Sequence, residues 1–143
     1  MSNSPQVAPL AASLGFPRIG AFRELKKAVE SYWKNAISKE ELLKAAAEIR
    51  KNNWLAQKSA GIDFIPSNDF AFYDNILGLI ATTGAVPARF KFSGQENDTV
   101  DLDLYFAMAR GAQKDAKTEG LDVVAMEMTK WFDSNYHYLV PEW

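Results

Sequence analysis

The sequence predicts an α/β fold with a mainly parallel sheet, and three observations carry that expectation. Short apolar runs closed by Pro, Gly or polar clusters fall at residues 13 to 20, 62 to 66 and 122 to 126. Segments with apolar residues at helical spacing lie between them. The length of 143 residues and the 48% hydrophobic content suit one domain with a sizeable core. Strands that alternate with helices favour parallel pairing, because each helix carries the chain back to the same end of the sheet.

The first run, Ser13-Leu14-Gly15-Phe16-Pro17-Arg18-Ile19-Gly20, reads as a buried strand ending in a turn. From Arg23 to about Asn35, Leu25, Ala28, Val29, Tyr32 and Trp33 recur at helical spacing. Ser38-Lys39-Glu40-Glu41 fits a capping box, so a second helix begins there and ends at Gly61. Within it Leu42, Ala46 and Ile49 form one apolar row and Leu43, Ala47 and Trp54 an adjoining one. The two helices should form an antiparallel hairpin.

Ile62 to Pro66 reads as a second strand, breaking into the polar cluster Ser67-Asn68-Asp69. Strand ends of this kind are where α/β folds place chemistry, although Asn and Asp serve turns more often. Phe70 to Thr83 has helical spacing and stops at Gly84, and Arg89 to Thr99 reads as a polar loop. A helix through Leu102 to Met108 stops near Gly111, a solvated loop spans Gln113 to Gly120, and Asp122 to Met126 is a third strand. An aromatic-rich tail, Trp131 to Tyr138, follows.

Composition excludes several classes of function. Sixteen basic and eighteen acidic side chains give a formal charge of -2, too little for a nucleic-acid field. The charge is unevenly spread: residues 18 to 58 carry ten basic and five acidic side chains. That segment would draw an anion, or would simply be a solvated helical surface. With no Cys, disulfides, thiolate ligands and Cys nucleophiles are absent. The single His137 disfavours a Ser-His-Asp triad or a zinc centre within the chain. The opening residues do not read as a secretory leader and no run reaches the length needed to span a bilayer, so a cytoplasmic protein without a membrane partner is expected.

Among the motifs, Gly15 to Gly20 has the glycine frame of a phosphate loop, but Ala21-Phe22 replace the required Lys and Ser or Thr. Arg23-Glu24-Leu25-Lys26-Lys27 stands at a helix start, where the dipole favours an anion and disfavours cations. Arg23 and Lys26, placed there on one face against that field, either recruit an anionic ligand or are balanced by Glu24 and Glu30. Glu127 and Lys130 read as an ordinary ion pair at helical spacing, and His137 as a structural histidine.

Six segments together resemble one family. Leu14 to Gly20, Arg23 to Ala28, Ser31-Tyr32-Trp33, Ala60 to Asp63, Pro66 to Phe70 with Tyr73-Asp74, and Glu127 to Tyr138 are similar, in order, to the opening of cobalamin-independent methionine synthase. The resemblance runs from Leu14 to Glu142. Residues 1 to 13 are expected to be a flexible segment, and the resemblance implies, over 14 to 143, the N-terminal portion of a (β/α)8 barrel. In that family a methyl group passes from 5-methyltetrahydropteroyltri-L-glutamate to L-homocysteine. The resemblance implies that Arg23, Glu24, Leu25, Lys26, Lys130 and Asn135 contact the folate substrate. It implies no cobalamin, and zinc and homocysteine sites in a C-terminal barrel outside this chain. The 143 residues alone are then expected to be inactive and to leave an open sheet edge. The alternative is a non-catalytic folate-binding or protein-interaction module built on the same N-terminal sequence.

Overall fold

The computed structural model describes residues 8 to 95, 97 to 113 and 121 to 142. The chain divides into two compact units, Met1–Phe70 and Ala71–Trp143. The architecture is mixed, with four helices and one small sheet among the described residues.

The first unit is built on the helical hairpin. Helix α1 spans Glu24–Trp33 and buries Leu25, Val29 and Tyr32. It closes at Asn35, whose φ of 59° suits the left-handed position that Asn tolerates. There the Ala36 N–H donates to the Ser31 carbonyl at 2.9 Å and the Asn35 N–H to the Tyr32 carbonyl at 3.0 Å. Helix α2 spans Lys39–Ser59, and the expected capping box is present. The Glu41 N–H donates to Ser38 Oγ at 3.2 Å, and the Ser38 N–H donates to Glu41 Oε2 at 2.7 Å. At the other end Gly61, with φ of 81°, lets the Ile62 N–H reach the Gln57 carbonyl at 3.2 Å. The two apolar rows of α2 separate: Leu42, Ala46 and Ile49 are core, whereas Leu43 and Trp54 are exposed.

Strand pairing in this unit is less extensive than the sequence suggests. The chain makes one parallel bridge, Ala12 with Phe64, in place of two full strands over 13 to 20 and 62 to 66. Leu14, Phe16 and Ile19 are exposed rather than buried. The reason is local chemistry: Pro17 has no N–H, and the Phe16 N–H donates to Asp69 Oδ2 at 2.7 Å instead of to a neighbouring strand. Pairing also begins earlier than expected. The Asp63 and Phe64 N–H groups donate to the Ala11 carbonyl at 2.9 and 3.0 Å. Of the segment 1 to 13 expected to be flexible, residues 1 to 7 lie outside the described residues.

In the second unit helix α3 spans Asn75–Thr83, starting five residues later than the apolar pattern suggested. Asp74 is the reason, because its carboxylate caps the helix by accepting from the Leu77 N–H at 3.0 Å. A single 3-10 turn, Ala88–Phe90, follows. Helix α4, Leu102–Arg110, is capped by Asp101 and carries much of the core through Tyr105, Phe106 and Met108. Phe72, Tyr105 and Phe106 pack edge to face, with ring centroids 5.3 to 6.4 Å apart.

The expected third strand, 122 to 126, contributes one antiparallel bridge between Val123 and Ala112. The loop expected over Gln113 to Gly120 lies outside the described residues from 114 onward. The only named strands among the described residues are β1, Met128–Lys130, and β2, His137–Leu139. They pair antiparallel, with Lys130 opposite His137 and Met128 opposite Leu139. Parallel pairing is represented among the described residues by the Ala12–Phe64 bridge, whereas the named strands are antiparallel. Six residues join β1 to β2, enough for a hairpin but too few for the crossover that parallel strands require. No helix among the described residues is long and apolar enough to cross a membrane.

Candidate functional site

The first group of expected contacts sits where the chain turns into α1. Residues 20 to 23 form a tight turn, with the Arg23 N–H donating to the Gly20 carbonyl at 3.3 Å. Arg23 then occupies the N-cap position in the left-handed region, φ 62° and ψ 37°, and its side chain makes no cap. An N-cap is ordinarily extended and ordinarily Ser, Thr, Asp or Asn, so this approach to a helix is unusual. For a non-glycine residue it is also strained, and such strain concentrates at ligand clamps and other functional sites.

Glu24 supplies what Arg23 does not. Its carboxylate folds back over Gly20 so that Oε2 accepts the Phe22 N–H at 2.9 Å. Leu25 is 2% exposed and its N–H donates to the Ile19 carbonyl at 3.1 Å, so both its side chain and its backbone donor are engaged by the protein. The Lys27 N–H likewise donates to the Arg23 carbonyl at 3.1 Å. Attraction for an anion at this helix start therefore rests on the side chains of Arg23 and Lys26 more than on the Leu25 backbone.

Both of these side chains are exposed. Among the described residues the Arg23 guanidinium has no hydrogen-bond or ion-pair partner. Lys26 Nζ lies 3.5 Å from Glu30 Oε1, with both side chains more than two-fifths exposed. A pair this open is screened by solvent and contributes little, so it leaves Lys26 able to exchange partners. The balance between Lys26 and Glu30 is thus present as expected, whereas Glu24 is occupied with backbone rather than with Arg23.

The second group, Lys130 and Asn135, belongs to the β1-β2 hairpin. Lys130 ends β1 and Asn135 lies in the connecting loop, both exposed. Among the described residues neither side chain has a hydrogen-bond or ion-pair partner. The expected pairing of Glu127 with Lys130 does not form there. These two residues stand in extended chain and a strand, not on a helical turn.

The loop holding Asn135 is tightly braced. The Trp131 N–H donates to the Tyr136 carbonyl at 2.8 Å. The Ser134 hydroxyl donates to the Trp131 carbonyl at 2.6 Å and accepts the Tyr136 N–H at 3.1 Å. Trp131 packs edge to face on Phe132 and on Tyr138, with centroids 5.1 and 5.6 Å apart. His137 Nδ1 lies 3.2 Å from the Asn135 carbonyl, consistent with a structural histidine. Asn135 is thereby presented with its backbone held and its amide outward, able both to donate and to accept.

The sequence reading did not single out the braces of this loop. Ser134 and Tyr136 look like ordinary polar and aromatic residues; Ser134 braces the loop through its near neighbours Trp131 and Tyr136, and Tyr136 through the distant Asp74. Asp74 carried a usable signal: an Asp immediately before an apolar helical run is a capping residue. A cavity of about 470 Å³ in the second unit, lined by Phe90, Phe92, Asp98, Asp101, Leu104 and Leu121, contains none of the six expected contacts.

Comparison with known proteins agrees with the motifs. Residues 10–143 match the family model described as the N-terminal domain of cobalamin-independent synthase. Three relatives share the name 5-methyltetrahydropteroyltriglutamate–homocysteine methyltransferase. That from Flavobacterium johnsoniae is 60% identical over 130 residues, 91% of this chain and 16% of the relative. Those from Cytophaga hutchinsonii and Salinibacter ruber are each 57% identical over 133 residues, covering 93% and 92% of this chain. The chain spans only about a sixth of the length of these relatives, 16 to 17%.

Proposed function

This chain belongs to the cobalamin-independent methionine synthase family, and from that membership we propose that it holds the polyglutamyl folate donor in methyl transfer to homocysteine. The family name itself states independence of cobalamin. The observation that carries the proposal is the pair of exposed cations, Arg23 and Lys26, standing against the helix dipole at the start of α1. A γ-linked triglutamate tail carries several carboxylates, and a guanidinium can bind one of them through two parallel hydrogen bonds.

In this reading Arg23 and Lys26 supply the charge. Glu24 and Leu25 hold the turn: one caps it, and the other anchors it in the core. Lys130 and Asn135 are further contacts to the same class of ligand, one as a cation and one as an amide. The N-terminal portion of a (β/α)8 barrel, implied by the motifs, is part of the same proposal. The parallel bridge between Ala12 and Phe64, with two helices between its strands, supports it.

Zinc does not fit the residues present. The sequence has no Cys, and the described residues contain no group of three His, Asp or Glu able to hold a metal. Activation of the homocysteine thiol is accordingly assigned to residues outside this chain. Its own contribution is binding, and no turnover by the 143 residues alone is expected.

Calorimetry with mono- and triglutamyl folate tests the assignment. The triglutamate should bind more tightly, and the advantage should shrink as salt rises. Lys26→Ala should remove part of that advantage. An unchanged difference between the two ligands in Lys26→Ala would show that the cations at α1 are not the anchor.

A further inference from the structure

Asp74 is 3% exposed, a carboxylate held away from water that, among the described residues, faces no cation. Burying such a group is costly unless donors surround it. Three do. Oδ2 accepts the Leu77 N–H at 3.0 Å and the Leu139 N–H at 3.4 Å, and Oδ1 accepts the Tyr136 hydroxyl at 2.8 Å.

Capping α3 needs only one of these oxygens, and Ser, Thr or Asn would cap it with less charge to bury. The second oxygen goes to a residue sixty-two positions away in the hairpin loop. Tyr136 follows Asn135 directly, and its carbonyl accepts the N–H of Trp131, the neighbour of Lys130. One residue thus flanks the exposed amide and, through its backbone carbonyl, holds the neighbour of the exposed cation. Its hydroxyl is tied to Asp74, and Leu139, in β2, is tied to the same carboxylate.

We propose that Asp74, acting through the Tyr136 hydroxyl, is a positioning residue that fixes the β1-β2 loop and so sets how Lys130 and Asn135 meet the folate. The inference rests on the reading that these two residues contact that ligand. Asp74 itself touches no substrate. Its two oxygens divide the work: Oδ2 caps the start of α3 and accepts from Leu139 in β2, and Oδ1 holds the loop, so the loop takes its position from a helix start as well as from its own short strands.

The experiment uses the full 143-residue chain, triglutamyl folate as ligand, and Tyr136→Phe, which removes one hydroxyl and keeps the ring. Affinity should fall about fivefold to tenfold, the equivalent of one ordinary hydrogen bond. Amide exchange at Trp131 should quicken, while the melting temperature moves little. Asp74→Asn, which keeps an oxygen for the Leu77 N–H, should retain α3 and lose affinity less than Asp74→Ala. In a Lys130→Ala/Asn135→Ala background, Tyr136→Phe should change affinity no further, which a merely structural role would not produce. If that double variant weakens binding but Tyr136→Phe alone does not, or weakens it equally in both backgrounds, the positioning role is wrong. If the double variant binds as well as the parent chain, the folate assignment falls, and the positioning role with it.

Discussion

The Phe16 N–H donates to Oδ2 of Asp69 at 2.7 Å, joining residues fifty-three positions apart in sequence. The bond pins the segment that leads into α1, and a second contact, from the Asn53 amide to the Pro17 carbonyl at 3.3 Å, secures it one residue later. Asp69 lies where the second strand was expected to end and where chemistry is often placed. In this structure its carboxylate shapes the approach to the cations instead.

Asp69→Ala should therefore destabilise the chain by about 1 kcal/mol, the net worth of an ordinary hydrogen bond, because this carboxylate is exposed to solvent. Asp69→Asn, which keeps an acceptor oxygen, should lose less. Chemical denaturation of the two variants checks the order, and equal losses would place the effect elsewhere than in the bond to Phe16.

Arg23 combines a strained backbone with an exposed cation, so its two roles can be separated. Arg23→Gly should raise stability by roughly 0.5 to 1 kcal/mol, because glycine takes φ of 62° without steric cost. The same change should weaken triglutamyl folate binding. Arg23→Ala should weaken binding without the gain. Parallel melts and titrations decide this, and a loss of stability in Arg23→Gly would argue against the strain.

Gly20 and Gly61 both have positive φ, 83° and 81°, yet their surroundings differ. A Cβ on Gly61 would meet open space, so Gly61→Ala should cost only the backbone strain, about 1 kcal/mol. A Cβ on Gly20 would collide with the Glu24 carboxylate that caps Phe22. Gly20→Ala should cost more, about 2 kcal/mol, and should disturb triglutamate binding as well. Equal losses in the two variants, measured by denaturation, would mean that Glu24 moves aside freely.

In the second unit Arg89 clamps Glu142 through two hydrogen bonds, 2.8 and 2.7 Å, and also donates to the Val124 carbonyl. The hydrogen bonds from Arg89, and then its charge, hold the Glu142 carboxyl below its ordinary value of 4.5. A carboxylate depressed in this way stabilises the fold above its unfolded pKa. Its contribution is lost as pH falls below 4.5 and through the folded value. Glu142→Gln should thus be less stable at pH 7 by up to about 1 kcal/mol, since the pair is partly exposed. Its melting temperature should also fall less steeply with acid. Melting curves of the two proteins that run parallel from pH 7 to pH 3 would contradict this.

The helices were legible because their signals are local. The capping box at Ser38, the stop at Gly61 and the buried row Leu42, Ala46 and Ile49 each depend on residues within one or two turns. The strands were not, because an apolar run such as Leu14 to Ile19 becomes a strand only if a neighbour takes up its N–H and C=O groups. Here Asp69 takes the Phe16 N–H, Pro17 has no N–H, and its carbonyl accepts from the Asn53 amide. Part of the candidate site was legible in the same uneven way. The charges of Arg23, Lys26 and Lys130 can be read directly, while the bond from Tyr136 to Asp74 cannot be inferred from spacing.

The sequence by itself determined the family, the helical hairpin with its caps, and which side chains carry charge and amide, since each follows from residue type and short-range order. Only the tertiary structure decided that Arg23 is held in the left-handed region, that Leu25 is buried with its N–H engaged, and that the strand pairing is a hairpin between β1 and β2. It also decided that Asp74 serves a helix and a loop at once. These outcomes depend on which distant groups satisfy a buried donor or acceptor, and that choice is settled by the packing of the whole unit rather than by any local stretch of chain.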